Sequence, residues 1–83
     1  MSLVTKMLMF EKYGFRLNLD QLADALGISK GTIFNQLAKE TFPIPTYLDG
    51  GQRYADYQDV GAHFDACRKR AREAIQAEAE RSA

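Results

Sequence analysis

Few side chains in this sequence could carry out covalent chemistry. The chain has one histidine, His63, and one cysteine, Cys67, and neither belongs to a cluster of possible ligands. The pattern therefore predicts neither a metal site nor a nucleophile paired with a base. Cys67 falls on an apolar stripe and is expected to be a small buried hydrophobe. We expect no enzymatic activity, no cofactor and no small-molecule ligand.

Side chains suited to hydrogen-bonded recognition are concentrated between residues 29 and 39. Asn and Gln can pair with adenine through two hydrogen bonds, and Thr can bond a base or contact a thymine methyl. A helix N-terminus is a favourable place for phosphate. The candidate DNA contacts are Ser29, Lys30, Gly31, Thr32, Asn35, Gln36, Lys39 and Arg53. Taken without the residues that precede it, the same set fits an ordinary solvated helix face.

Two short helices joined by a tight turn, over residues 18–39, are expected to position these side chains. Asn18 and Gln21 have the spacing of a capping box, Gly27 suits a left-handed helix end, and Ser29 suits a second N-cap. The apolar positions at helical spacing are Leu19, Leu22, Ala23 and Leu26, then Ile33 and Leu37. A small residue at Ala23 and a turn at Gly27 favour a helix-turn-helix. A plain corner between two helices is the alternative.

The segment QLADALGISKGTIFNQLAK resembles the helix-turn-helix of MerR-like excisionases and AlpA-type regulators. Downstream, FPIPTYLDGGQRYADYQDVGAHFDA is similar to that group's order of strand, glycine turn, basic strand and helix start. The opening LMFEKYG is similar to pyocin-activator (PrtN-type) regulators. Two departures are Gln36, where the group usually has an aliphatic residue, and a slightly longer spacing between Arg53 and Asp59. The resemblance, over roughly residues 8–67, implies a winged helix-turn-helix fold that binds DNA.

A two-stranded β-hairpin, the wing of such a fold, is expected over residues 44–55. Prolines at positions 43 and 45 stop the preceding helix. Asp49-Gly50-Gly51 is a strong hairpin turn between two short β-rich runs. Arg53 on the second strand is expected to contact phosphate or the minor groove, with a solvated surface charge as the alternative. Phe34 either packs under the wing or touches a base, and packing is expected.

The first helix, expected over residues 3–13, has an unusually wide apolar surface. Leu3, Met7 and Phe10 fall on one line, and more apolar residues flank them. A helix packed on one side only does not need so wide a surface. Either this is the central helix of the core, or one face packs internally and another contacts a second subunit. We expect a homodimer or other homo-oligomer formed through Leu3, Met7, Phe10 and the C-terminal helix.

The C-terminal helix is expected over residues 56–76. Val60, Phe64 and Cys67 begin an apolar stripe that closes the core against the first helix. Beyond residue 67 the sequence favours a helix but lacks large apolar anchors, so residues 77–83 are expected to fray. A coiled coil is a weaker alternative, because the stripe there is mostly alanine. The basic patch Arg68, Lys69, Arg70 and Arg72 either contacts phosphate or balances nearby glutamates.

Length and composition place the chain in the class of small single domains, here residues 1–83. Eleven basic and eleven acidic residues give a formal net charge of zero, which argues against non-specific coating of nucleic acid. One cysteine permits no internal disulfide and suits a reducing cytoplasm. No signal peptide is evident, and no apolar run approaches the length of about 20 residues that spans a membrane.

The sequence as a whole predicts a mainly α-helical winged helix-turn-helix protein in the cytoplasm. Its expected partner is double-stranded DNA, bound sequence-specifically with the recognition helix in the major groove. The resemblance implies a bacterial, phage or plasmid transcriptional regulator, or an excision factor that shares the fold. A protein-interaction module is the rival from another class. Zero net charge and the acidic stretch between Asp49 and Asp65 support that rival.

Overall fold

The computed structural model describes residues 3–82, which form a mainly helical fold with a small antiparallel sheet. In chain order the elements are α1 (Leu3–Tyr13), β1 (Arg16–Asn18), α2 (Leu19–Leu26), α3 (Lys30–Ala38), β2 (Tyr47–Asp49), β3 (Gln52–Asp56) and α4 (Tyr57–Ser82). None of the helices within this range has the length and apolar character that crossing a membrane requires.

Local signals in the sequence explain the ends of α2 and α3. The Gln21 backbone N–H donates to the Asn18 side chain over 2.9 Å, and the Asn18 N–H donates back to Gln21 over 3.0 Å. The predicted capping box is therefore present. Gly27 ends α2 with φ at 68°, a left-handed conformation that glycine adopts without a Cβ penalty. Ser29 then caps α3, so only three residues separate the two helices.

The sheet has three strands, whereas the sequence predicts a two-stranded hairpin over residues 44–55. β3 lies in the centre and pairs antiparallel with β2 on one side and β1 on the other. Leu17 of β1 lies opposite Ala55 of β3, and both side chains are fully buried. A three-residue strand is too short to show an alternating pattern. Only its pairing with a segment almost forty residues away identifies it as a strand.

The core lies where α2, α3, the sheet and the start of α4 meet. Its buried side chains are Leu17, Leu22, Ile33, Ile44, Ala55 and Val60. Half-buried apolar residues surround them, among them Leu37 of α3 and Ile28 in the turn. Ile44 is buried between two prolines, so residues 44–46 anchor the hairpin but are not part of a strand. The core is small, as expected for so short a chain.

α1 is not the central core helix, one of the two alternatives that the sequence left open. None of its side chains is fully buried. Met9 and Tyr13 pack against the edge of the core, while Leu3, Val4, Met7 and Leu8 remain exposed. α1 therefore covers one edge of the core, while the fully buried positions belong to other elements, among them Leu17 and Ala55 of the sheet.

α4 continues to Ser82, six residues beyond the end at residue 76 that the sequence predicts. Residue 83, the last of the tail expected to fray, lies outside the described residues. Val60 closes the core, but Phe64 is partly exposed and Ala71 and Ala74 are exposed. The predicted stripe therefore packs only over its first turns. A helix of 26 residues is about 39 Å long, so its second half extends away from the body.

Candidate nucleic-acid interface

The N-terminus of α3 carries four of the predicted contacts. Ser29 Oγ accepts the Thr32 backbone N–H over 3.1 Å and lies 2.9 Å from Thr32 Oγ1. Both hydroxyls therefore take part in the cap, and both residues are exposed. The N–H groups of Lys30 and Gly31 belong to the first turn, where an α-helix provides no internal acceptors. This end of α3 presents donors and a partial positive charge to solvent.

The outward face of α3 follows from the burial of Ile33. At 100° per residue, Gly31 and Asn35 lie nearly opposite Ile33 and Lys39 lies close to them; all three are exposed. Gln36 lies nearer the core side and is half-buried. Leu37 packs against the core. Gln36 is thus at the edge of this face.

An open groove of about 410 Å³ separates α3 from the β2–β3 hairpin. Its lining residues come from three segments: Asn18, Leu19 and Asp20; Lys30 and Phe34; and Leu48, Gly51, Gln52 and Arg53. Two of the predicted contacts, Lys30 and Arg53, lie on this groove although they are 23 residues apart in sequence. The other six lie elsewhere on α3 and its cap.

Phe34 is a further residue of this site, and the expectation that it packs under the wing is wrong. Its side chain is 54% exposed, and that of Leu48, on the hairpin side of the groove, is 65% exposed. Both line the groove. The sequence could have indicated that Phe34 is exposed, because on a helix it lies 100° from Ile33 and so at the margin of the buried face. No sequence signal indicated that Leu48 is exposed, since its exposure depends on the position of the hairpin relative to α3.

Charge in the groove is partly compensated. Lys30 Nζ lies 3.0 Å from Asp20 Oδ1, and Arg53 Nη1 donates to Thr46 Oγ1 over 2.8 Å. Arg53 is half-buried, so it is more constrained than a solvated surface arginine. The Lys30–Asp20 pair is exposed, and exposed ion pairs contribute little free energy. Lys30 can therefore exchange Asp20 for another anion at low cost.

Arg16 holds the hairpin tip against β1, a role that the sequence analysis did not assign. Arg16 Nη1 lies 2.6 Å from Asp49 Oδ2, and the guanidinium stacks 3.8 Å from the centre of the Tyr54 ring. The hydrogen bond with Asp49, followed by one with Tyr47, raises the pKa of Arg16 above its ordinary value. The guanidinium stays charged at every accessible pH. Asp49, part of the acidic stretch, is thereby paired within the fold.

The reactive side chains of α4 lie away from this groove. Cys67 Sγ lies 3.7 Å from His63 Nε2 and accepts from Arg70 Nη2 at 3.4 Å. His63 and Arg70 also line a second, shallower groove of about 470 Å³ beside Pro43 and Pro45. Within residues 3–82, no three side chains of the types that bind metals are grouped to hold an ion. The basic patch at residues 68–72 is exposed on the protruding part of α4.

Comparison with known proteins adds no further assignment. No protein-family model matches the chain, and no curated protein or solved structure matches it either.

Proposed function

We propose that this protein is a winged helix-turn-helix protein that binds double-stranded DNA in a sequence-specific way and regulates transcription in the cytoplasm of a bacterium. In this assignment α2 and α3 are the helix-turn-helix, α3 is the recognition helix, and the β2–β3 hairpin is the wing. The resemblance to MerR-like excisionases, AlpA-type and pyocin-activator regulators supports the same assignment. The observation that carries it is the groove in which Lys30 and Arg53 meet.

The groove suits one strand of the DNA backbone. A helix in the major groove and a hairpin at the adjacent minor groove are separated by a single sugar–phosphate strand. That strand must pass between α3 and the hairpin, where the groove lies. Lys30 and Arg53 would contact its phosphates, and the exposed rings and methyls of Phe34 and Leu48 would pack against its deoxyriboses. These contacts position the protein without reading sequence.

Sequence would be read by the outward face of α3. Asn35 carries both a donor and an acceptor, which suits adenine in the major groove, and Thr32 can contact a thymine methyl. Gly31 adds no side chain, so the backbone can approach the bases closely. Gln36 and Lys39 stand at the edges of this face. Ser29, with its oxygen accepting the cap hydrogen bond, can still donate its hydroxyl proton to a phosphate.

An excision factor that bends DNA would use the same surface. A transcriptional regulator and an excision factor would therefore make the same contacts with DNA and differ only in the process that they control. An adjacent integrase gene would favour excision, and an operon of regulated genes would favour transcription. A protein-interaction module has a separate support in the exposed apolar residues of α1. Its support from the acidic stretch is weakened, because Asp49 is paired with Arg16 and the Asp56 side chain accepts the Gln58 N–H at the start of α4.

Selection from a pool of random duplex DNA tests the proposal. The full chain is incubated with the pool at about 100 mM salt, a concentration at which non-specific binding is already weakened, and bound duplexes are sequenced. We expect one enriched motif. The matched control is the double variant Asn35→Ala/Thr32→Ala, which should bind the pool without enriching that motif. Weak binding with no enrichment by the unmodified chain would overturn the proposal in favour of the protein-interaction module.

A further inference from the structure

A group of exposed apolar side chains outside the groove lies on α1 and just beyond its end. Leu3, Val4, Met7 and Leu8 form a stripe along one side of the helix, and each is between 61% and 72% exposed. Phe10 and Phe15 continue the stripe at the C-terminal end of α1, with exposures of 41% and 71%. We call these six residues the α1 face. A contiguous exposed surface of this kind is unusual on a monomer and marks an interaction site.

The C-terminal end of the α1 face is attached to the body by aromatic contacts. The Phe10 and Phe15 rings meet edge to face with centroids 4.6 Å apart, and Phe10 also meets the Tyr57 ring at 5.7 Å. Tyr57 is the first residue of α4 and packs against the core. The aromatic contacts therefore fix the end of α1 to the body before any partner binds. A preorganised surface loses less conformational entropy on association.

We propose that the α1 face is the interface of a two-fold dimer of this chain. At about 200 Å² for each large apolar side chain, the exposed fractions amount to roughly 700 Å² per chain. A stable interface buries about 800 Å² on each partner, so this face and its rim supply the required area. A two-fold contact places the same patch against itself. The patch must therefore be complementary to itself, and an apolar stripe centred on Met7 and Leu8 can pack against an identical stripe.

Charge favours a second copy as the occupant. The chain has no net charge, so two copies do not repel each other as strongly charged proteins do. Lys6 lies at one edge of the stripe, and Glu11 lies one turn beyond Met7 at its C-terminal end. Their charges are opposite, so together they add no net charge to the surface. Within residues 3–82, six apolar side chains form the buried core. Burial of the six residues of the α1 face would about double the number of apolar side chains removed from water, a substantial gain for a domain of this size.

Sedimentation velocity of the full chain without DNA tests the dimer. Over about 1–100 µM, we expect the unmodified chain to sediment as a dimer, with a dissociation constant in or below that range. Met7→Lys and Leu8→Glu place a charge at the centre of the interface. Because both positions are exposed in the single chain, these variants should fold, and circular dichroism checks that they do. Their dissociation constants should rise on the order of 100-fold, since each dimer would bury two unpaired charges.

Leu48→Lys is the matched control, because Leu48 is exposed to a similar degree but lies on the hairpin. This variant should remain dimeric. A monomer at 100 µM for the unmodified chain, or a Leu8→Glu variant as dimeric as the unmodified chain, would overturn the proposal. Aggregates that grow without a limit would also overturn it, because a two-fold contact closes. The experiment contains no DNA, so its failure is distinct from failure of the proposed function.

Discussion

Asn35 is the side chain of α3 best placed to choose a base. It is exposed, it lies nearly opposite buried Ile33, and it stands two turns from the capped N-terminus. Its amide is free to pair with an adenine edge through two hydrogen bonds. Ser29 and Thr32, by contrast, already share hydrogen bonds in the cap. Under the proposed function, Asn35 is therefore expected to read sequence through its amide and Thr32 through its methyl group, while Ser29 positions the backbone.

Asn35→Ala should weaken binding to the selected motif by about 1–3 kcal/mol and relax the preference at one base pair. The physical reason is the loss of two hydrogen bonds that only one base satisfies. Fluorescence anisotropy with a set of single-base variants of the motif measures both effects. Gln76→Ala, an exposed change on α4, should leave every affinity unchanged. A loss of equal size on all duplexes would show that Asn35 contacts the backbone instead.

Gly31→Ala separates stability from binding. Gly31 is helical, and an added Cβ would meet only Ser29 Oγ, at an ordinary contact distance of 3.8 Å. The substitution should raise the free energy of unfolding by about 0.5–1 kcal/mol. It should also lower DNA affinity, because the new methyl occupies the space between the backbone and the bases. Urea unfolding and anisotropy measure the two effects, and an unchanged affinity would remove Gly31 from the interface.

Gly27→Ala provides the contrast for that experiment. Gly27 has φ at +68°, and no atom lies within 4 Å of an added Cβ. The cost is therefore conformational, about 1–2 kcal/mol for a residue with a side chain in the left-handed region. Chemical denaturation should show opposite signs for the two glycine substitutions. A stabilising Gly27→Ala would contradict the turn geometry between α2 and α3.

At the scale of elements, the site depends on the position of the hairpin relative to α3. Besides the buried Ile44, the hairpin is held by the pairing of β1 with β3, the ion pair of Arg16 with Asp49, and the Arg16 stack on Tyr54. These contacts bring Arg53 to the groove that Lys30 lines from the other side. A two-stranded hairpin is marginally stable alone. The third strand, which is not part of the two-stranded hairpin that the sequence predicts, provides the missing support.

Arg53→Glu should weaken binding to all duplexes alike and reduce the slope of log affinity against log salt by about 1–2, because a phosphate contact is lost and a repulsion is added. Titrations at several salt concentrations measure the slope. Arg53 also donates to Thr46, so a structural role must be separated from a phosphate contact. Thr46→Val removes that hydrogen bond and keeps the charge, and it should leave the slope intact. An unchanged slope in Arg53→Glu would exclude the contact.

At the scale of the whole molecule, the fold is a small body with two features that contribute no side chain to the buried core. One is the α1 face, and the other is the second half of α4. The radius of gyration is 15.2 Å, compared with about 12 Å for a compact chain of this length. The excess comes from α4, whose described side chains from Arg68 onward are exposed apart from a half-buried Ala77. The basic patch lies on this extension.

Removal of residues 77–83 should change the free energy of unfolding by no more than about 0.5 kcal/mol, because the deleted part adds almost no burial to the core. The measurement is urea unfolding of the truncated and full chains at one fixed concentration, since association would make stability concentration-dependent. Val60→Ala, which opens a cavity in the core, is the positive control. A large loss on truncation would mean that the end of α4 is packed against a partner.

Local signals in the sequence were sufficient for the elements that depend only on near neighbours. The capping box at Asn18, the left-handed end at Gly27, the Ser29 cap and the glycine turn between β2 and β3 are all present. Each involves residues within four positions of one another, so backbone geometry and side-chain type determine it. The same reasoning placed Ile33 and Leu37 of α3 towards the core, but it was wrong for Phe34, which is exposed.

The contacts between distant parts of the chain and the position of α1 were decided by tertiary structure alone. The pairing of β1 with β3, the Arg16–Asp49 ion pair and the groove that joins Lys30 to Arg53 link positions more than twenty residues apart. Apolar periodicity could not tell whether α1 fills the core or covers it, because both arrangements need an apolar stripe. The outcome depended on which apolar residues occupied the limited interior. Leu17, Ala55 and Val60 filled it, and the stripe of α1 remained on the surface.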